Sequence, residues 1–429
     1  MPKGKRKGRF ERGRNDGSIN SSDDESNDNV SVVSNYSENR STEECEETEI
    51  LAQEQFEEKL SDFLDGLTQK SSQGRTNCFQ SLTKAFVKKY MPSFIRDRNF
   101  TICDGIERSL KKGGGPEKTA AAELATVICV QLGAEVASEE IYDLLKPVLL
   151  IIVCDNSVAA AVRAKCCIAL GSITFLTSGE IGDVMILMQQ FESIFAGSYL
   201  KGDGTIPNIT PETATLHAAA INTWSLLFTL MSPGNIGTMI NNSKNLPSLE
   251  KLSELLASTH LDVRMAAGEA LALIYELGRE ENEDFEDDFA LDLLETLKQL
   301  ATDSHKYRAK KDRKQQRATF RDILQFIEND TVPEIQVKFG KEVLLLDTWT
   351  RRKQYETLCN ILGPSINIHL TENFLLRDIF EILEPPPTNE IGGLAQHQME
   401  RFRKRLLNAA NFKARTLSRA KNRDKRSDF

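Results

Sequence analysis

Along most of this chain, apolar residues recur at three- and four-residue spacing. The pattern sets in near Gln53, where Phe56, Leu60, Phe63, Leu64 and Leu67 fall on one side of a helix. It runs as far as Glu328, where Phe320, Ile323, Leu324 and Ile327 form a stripe of the same kind. Small residues cluster between these points, at Ala120–Ala122, Ala159–Ala161 and Ala266–Gly268, and would let neighbouring helices approach closely. After Glu328 the period shortens. Ile335, Val337 and Phe339 alternate, Gly340-Lys341 can turn, and Val343 to Trp349 is β-rich, so one short hairpin is predicted at 335–349. Helices return over about Lys353–Leu362 and Glu372–Leu383, until Pro385-Pro386-Pro387 stops them.

A weak repeat underlies the helical part. A basic residue stands seven before a leucine at Arg75/Leu82, Arg163/Leu170, Arg264/Leu271 and Arg317/Leu324, and Lys118 opens the similar segment Thr119 to Leu132. The steps from 75 to 118 to 163 are 43 and 45 residues. The step of 101 to 264 fits two repeats with an insertion around Gly202 to Pro211. These periods match the roughly 40–47 residues of armadillo and HEAT units. The expected fold is all-α, an armadillo/HEAT-like α-solenoid with one β-hairpin; an irregular helical bundle is the alternative. Four regions follow: a disordered tail at 1–52, a helical-repeat domain at 53–330, a hairpin-and-helix domain at 331–397, and a basic terminus at 398–429.

Composition narrows the setting. Of the 429 residues 40% are apolar, enough for a core once the tails are set aside. The longest apolar run, Pro147 to Cys154, suits a buried helix and is too short to span a bilayer, so no membrane partner is expected. The basic N-terminus has no apolar stretch behind it and does not read as a secretory signal. Cys129, Cys154, Cys166 and Cys167 sit within apolar helical patterns, which predicts reduced, buried thiols in a cytosolic or nuclear protein. Residues 1–14 hold seven bases and one acid, whereas 21–60 hold thirteen acids and two bases. Ser21-Ser22-Asp23-Asp24-Glu25 resembles an acid-directed kinase site, against the plainer reading of a solubilising tail.

Catalytic signals are weak. The segment Lys111 to Thr119 holds three glycines but lacks the Gly-Lys order of a phosphate-binding loop and follows a helix, so it reads as a loop between two helices. The five histidines are far apart, and none stands at metal spacing from a Cys or an acid. Cys166-Cys167 suits core packing. The acidic run Glu280 to Asp292 lacks the glycine turn of a calcium loop and reads as a solvated connection. A solenoid serves mainly to present binding surface. The chain is expected not to be an enzyme, and to use no cofactor, metal or small-molecule substrate.

Charge then points to a partner. The last 32 residues carry eleven Lys/Arg against three acids, a net +8 in a chain of net charge −9, which leaves −17 for the other 397. Such polarity suits nucleic acid or an acidic partner. Within this segment Met399, Phe402, Leu406 and Ala409/Ala410 allow an amphipathic helix over 398–412 that docks on the body. Beyond Phe412, Lys413, Arg415, Arg419, Lys421, Arg423, Lys425 and Arg426 spread round most of a helical wheel. A helix charged nearly all round has no face to bury on protein and becomes ordered only among negative charges, as in a passage walled by RNA. A nuclear localisation signal or a non-specific polybasic tail would use the same residues. A second basic surface comprises Lys306, Arg308, Lys310, Lys311, Arg313, Lys314, Arg317 and Arg321, opposed only by Asp312. This density suits a phosphate backbone. Alternatively, these charges pair with the acidic run at 280–292.

Several segments also resemble the interferon-related developmental regulator family. They are Ile106-Glu-Arg-Ser-Leu-Lys-Lys-Gly, Ala120 to Gly133, Arg264-Met-Ala-Ala-Gly-Glu-Ala-Leu, Leu300-Ala-Thr-Asp-Ser-His-Lys-Tyr-Arg-Ala-Lys, Phe320-Arg-Asp-Ile-Leu, Ala410-Asn-Phe-Lys-Ala-Arg-Thr and Arg423-Asp-Lys-Arg. The likeness runs over most of 55–429; the segment 380–397 and the loop near 202–211 depart from the family pattern. The resemblance implies an armadillo-type fold without catalysis. It implies ribosome binding that holds idle ribosomes inactive, with contacts to rRNA and ribosomal proteins at the tRNA exit region and the C-terminal helix in the mRNA channel. Carried onto this chain, the channel-filling element would be Lys413 to Arg426. An older description of the family, as nuclear transcriptional co-regulators that bridge deacetylase complexes, is the alternative. The first implies a cytoplasmic protein, the second a nuclear one.

Overall fold

The computed structural model describes residues 42–382, apart from 178–179, 242–245 and 304–308. The chain divides into two units, Met1–Gln53 and Glu54–Phe429. The described part of the first, 42–53, is helical. In the second, helix follows helix. From the chain's first described residue they are α1 Thr42–Gly66, α2 Ser72–Lys88, α3 Pro92–Asp97, α4 Asn99–Lys112, α5 Gly115–Leu132, α6 Ala134–Ala137, α7 Asp143–Cys154 and α8 Ala160–Thr177. Then come α9 Ile181–Phe195, α10 Pro211–Phe228, α11 Ile236–Asn241, α12 Leu249–Glu254, α13 Leu261–Arg279, α14 Asp287–Thr302 and α15 Lys310–Asn329. Starts are marked chemically: Ser71, Thr210 and Ser248 cap α2, α10 and α12 through their hydroxyls, and Pro116 and Pro211 occupy first-turn positions.

The helices α2, α5, α8, α10, α13 and α15 pack side by side in that order and form one inner layer. α4, α7, α9 and α14 lie on it as a second layer. This is an α-solenoid, as the repeat predicts. α5, α8 and α10 are buried almost all round, which is why they carry alanine and glycine where an outer helix would carry charge. α8 has the length and apolarity of a membrane span, and that apolar surface is taken up by the core.

The inner helices are parallel, as hydrogen bonds at both ends show. At their starts Arg75 pairs with Glu117 at 2.7 Å, and Arg264 donates to Gln316 Oε1 at 2.7 Å. At their ends Gln131 donates to the carbonyl of Lys89 at 2.8 Å, and Arg279 to that of Ile327 at 3.0 Å. All turns from an outer to an inner helix therefore lie along one edge, and the return turns along the other.

The repeated basic residue has a local task. Arg75 donates to the carbonyls of Gln69 and Lys70, Lys118 to Leu110, Arg163 to Val153 and Arg264 to Ser258. Each cation sits near the start of an inner helix and meets carbonyls at or just beyond the end of the helix before it, where unpaired acceptors and the negative end of the helix dipole lie. In α15 the task passes to Gln316, which donates to the carbonyl of Leu300, while Arg317 bonds within its own helix. α10 begins without the basic residue, which explains the double step in the repeat.

After α15 the chain forms β1 (Ile335–Phe339) and β2 (Glu342–Leu346), antiparallel, with Gly340 at φ 53° in the turn. The expected β segment ends early. Thr348 caps a new helix, so Trp349 opens α16 (Trp349–Leu362) rather than closing a strand. The helix expected at Glu372–Leu383 is instead α17 (Ile366–Glu372) and α18 (Phe374–Ile379), broken by Asn373, whose side chain caps α18. These elements run back across the inner layer. Glu276 of α13 accepts from the backbone of Trp349 and Thr350 at the start of α16. Lys353 pairs with Glu269 at 2.9 Å, His369 reaches the carbonyl of Val87 at 2.9 Å, and Asn373 that of Val130 at 2.8 Å. Cys154 corrects one expectation: it is exposed, because it stands on the outward side of the last turn of α7, whereas Cys129, Cys166 and Cys167 are buried.

Candidate nucleic-acid interface

α15 carries the second basic surface. One side is sealed: Gln316, Phe320, Ile323, Phe326 and Ile327 are buried, and Gln316 also accepts from Arg264. The other side exposes Lys310, Lys311, Lys314 and Arg321, with Arg313 and Arg317 half-buried among them. Ala309 gives the helix no side-chain cap. Lys306 and Arg308 lie outside the described residues.

The acidic run does not neutralise this face. Glu280 to Glu286 forms the turn into α14, on the return edge, anchored by Phe285 against Tyr275, whereas Asp287, Asp288 and Asp292 lie on α14 itself and not in the expected connection. The lysines of α15 follow the far end of α14. The last acid of the run, Asp292, stands ten residues before the end of α14 at Thr302, or roughly 15 Å at 1.5 Å per residue. Across such a gap exposed charges are largely screened. Among the described residues no ion pair joins 310–321 to 280–292. The terminal residues Lys413, Arg415, Arg419, Lys421, Arg423, Lys425 and Arg426 lie outside the described residues.

Other polar groupings are accounted for within the fold. Ser198 and His217 Nδ1 stand 2.6 Å apart, yet both are buried. Burial, followed by Arg163 and His260, pushes the imidazole down to about 4, so it sits neutral in the core. Nothing in the spacing of Ser198 and His217 announced that pair. Among the described residues no group of three or more His, Cys, Asp and Glu is placed to hold a metal. A cavity of about 500 Å3 opens between α16 and helices α2, α5, α8 and α10. Its charged groups are engaged with one another: Glu123 with Lys165 at 2.9 Å, and Lys353 with Glu269 and Asn222. Although burial works against the charged amine, Glu269 and Glu356 raise the pKa of Lys353 above its usual value. Of the segment Lys111 to Thr119, expected as a loop, only Gly113 and Gly114 form the turn between α4 and α5; Lys111 and Lys112 end α4, and Gly115 to Thr119 open α5.

A stacked helical array with a buried core and an exposed basic face on α15 defines a helical-repeat protein. The sequence places it more narrowly. Residues 29–328 match the interferon-related developmental regulator family, and 373–427 match the interferon-related protein conserved region. Interferon-related developmental regulator 2 of Mus musculus is 38% identical over 380 residues, 88% of this chain and 84% of that one. Interferon-related developmental regulator 1 of Sus scrofa is 38% identical over 413 residues, 95% of this chain and 90% of that one. Its Homo sapiens counterpart is 37% identical with the same coverage. The chain belongs to the interferon-related developmental regulator family. A crystal structure of an engineered protein is similar at 17% identity and a TM-score of 0.38, over 62% of this chain and 97% of that one, too slight a likeness to carry an argument.

Proposed function

We propose that this protein is a non-enzymatic, cytoplasmic ribosome-binding factor that represses translation. The solenoid docks on rRNA and ribosomal proteins near the tRNA exit region, and the segment Lys413–Arg426 enters the mRNA channel of idle ribosomes. The observation that carries the reading is the placement of charge. A chain of net −9 gathers +8 in its last 32 residues, and the exposed lysines of α15 follow the end of α14 opposite the acidic run. Both features favour a phosphate-rich surface. Family membership agrees with a regulator and leaves its target open.

Sucrose-gradient sedimentation tests the proposal. The full-length chain should migrate with ribosomes at low salt and be released as salt rises. A chain ending at Gln398 should bind more weakly and lose repression in a cell-free translation assay. Full-length protein that stays at the top of the gradient at low salt refutes ribosome binding. Its recovery from nuclear extract with deacetylase complexes would then favour the co-regulator role. Replacing Lys413, Arg415, Arg419 and Arg423 by Glu should abolish repression, and unchanged repression refutes the channel plug.

A further inference from the structure

In an ordinary solenoid each repeat touches only its neighbours, so coupling decays along the stack. Here α16 to α18 break that rule. α16 starts at the last repeats, where Glu276 of α13 accepts from Trp349 N, Thr350 N and Thr350 Oγ1, and Trp349 packs on Phe326 of α15 at 6.0 Å between ring centroids. It crosses α10, where Lys353 meets Asn222 and Gln354 meets Thr229. α17 ends and α18 begins at the first repeats: His369 bonds the carbonyl of Val87 at the end of α2, and Asn373 the carbonyl of Val130 at the end of α5. These last two bonds join residues 282 and 243 positions apart. The crossing is cemented by Leu358, Leu362, Leu370, Leu376 and Phe380, all nearly or fully buried. What the crossing leaves open is the polar cavity beneath α16, bordered by four inner helices.

We infer that residues 349–380 are a built-in occupant of the inner face, a brace that couples the first repeats directly to the last and bypasses the middle of the stack. A partner meets the edges and the outer layer, because the inner face is already covered by the chain itself. α18 returns the chain to the first turns of α16, where Glu381 pairs with Arg351 at 2.9 Å and Phe380 meets Tyr355, so the described chain ends on the side of the last repeats.

Hydrogen exchange of the full chain tests the brace. Asn373→Ala removes the bond to Val130 at one end; Glu276→Gln weakens the anchor at the other. The outer helix α9 serves as the mid-stack reference. In Asn373→Ala, amides of α13 should exchange about tenfold faster or more, while those of α9 change less. In Glu276→Gln the same ordering should hold for α2 and α5 against α9. Coupling through neighbours alone gives the reverse order, with α9 affected before the far end, and that result overturns the inference. Should either variant fail to fold, the unaltered chain in increasing denaturant decides. Amides of α2, α5 and α13 should then share one denaturant dependence, and separate dependences overturn the brace.

Discussion

Gly268 sits on α13 where α15 crosses it, and the substitution Gly268→Ala tests how that basic helix is held. A methyl group there would lie 2.8 Å from Phe320 Cε1 and 3.0 Å from Ile323 Cδ1. Carbon atoms rest at about 3.5–4.0 Å, so at least half an ångström must be found twice. Both neighbours are fully buried and have no free space to retreat into. Helix propensity works the other way, since alanine is favoured over glycine inside a helix by about 1 kcal/mol. Overpacking typically costs about 1–3 kcal/mol, so the net expectation is a loss of about 1 kcal/mol. Phe320→Leu removes the ring edge that blocks the methyl. The double variant should therefore be more stable than the two single losses add up to, with a coupling of about 1 kcal/mol. Thermal melting and chemical denaturation of the four proteins measure this. A Gly268→Ala protein that melts higher than the parent would refute the close approach of α13 and α15.

Three further expectations follow from the same structure. The depressed His217 means that falling pH protonates the unfolded chain first; its contribution is intact above about pH 6.5 and lost as pH falls toward 4. At about 1.4 kcal/mol per pH unit the loss is about 3 kcal/mol, and His217→Asn should flatten that part of a stability–pH curve measured by urea denaturation. Lys353→Met leaves Glu269 and Glu356 facing a buried site without their cation. A loss of about 3–5 kcal/mol is expected, with partial recovery on adding Glu269→Gln, and a neutral Lys353→Met would refute the buried pair. Replacing Lys310, Lys311 and Lys314 by Glu should change melting by no more than about 0.5 kcal/mol, because these positions are exposed. If the helix meets phosphate, the same change lowers the slope of log affinity against log salt by roughly 2–3 in a ribosome-binding titration, and an unchanged slope removes α15 from the interface.

Much of the fold was legible before any coordinates. The spacing Arg75–Leu82, Arg163–Leu170 and Arg264–Leu271 marks three inner helices because each repeat must solve the same problem, the unpaired carbonyls at the end of the preceding helix. The small residues at 120–122 are buried between helices and Gly268 leaves no room for a larger side chain, whereas Ala159 and Ala161, expected at a close approach, are exposed at the start of α8. α10 escaped the repeat because it lacks the cation. The double break of α17 and α18 escaped because Asn373 is chosen by a distant carbonyl, that of Val130, as much as by the local helix it caps.

The candidate site divides along the same line. Composition alone identified α15 as amphipathic, basic and helical, since its buried stripe and its lysines obey one local period. Whether those lysines were already paired could not be read from one dimension, because the acids at 280–292 are near in sequence and gathered toward the other end of α14 in space. Sequence by itself determined the repeat, the helical class and the concentration of charge, all of which follow from periodic burial and local capping. Tertiary structure alone decided that the acidic run lies away from the lysines of α15 and that residues 349–380 cover the inner layer. Those two facts depend on contacts between segments up to 282 residues apart, which no local pattern encodes.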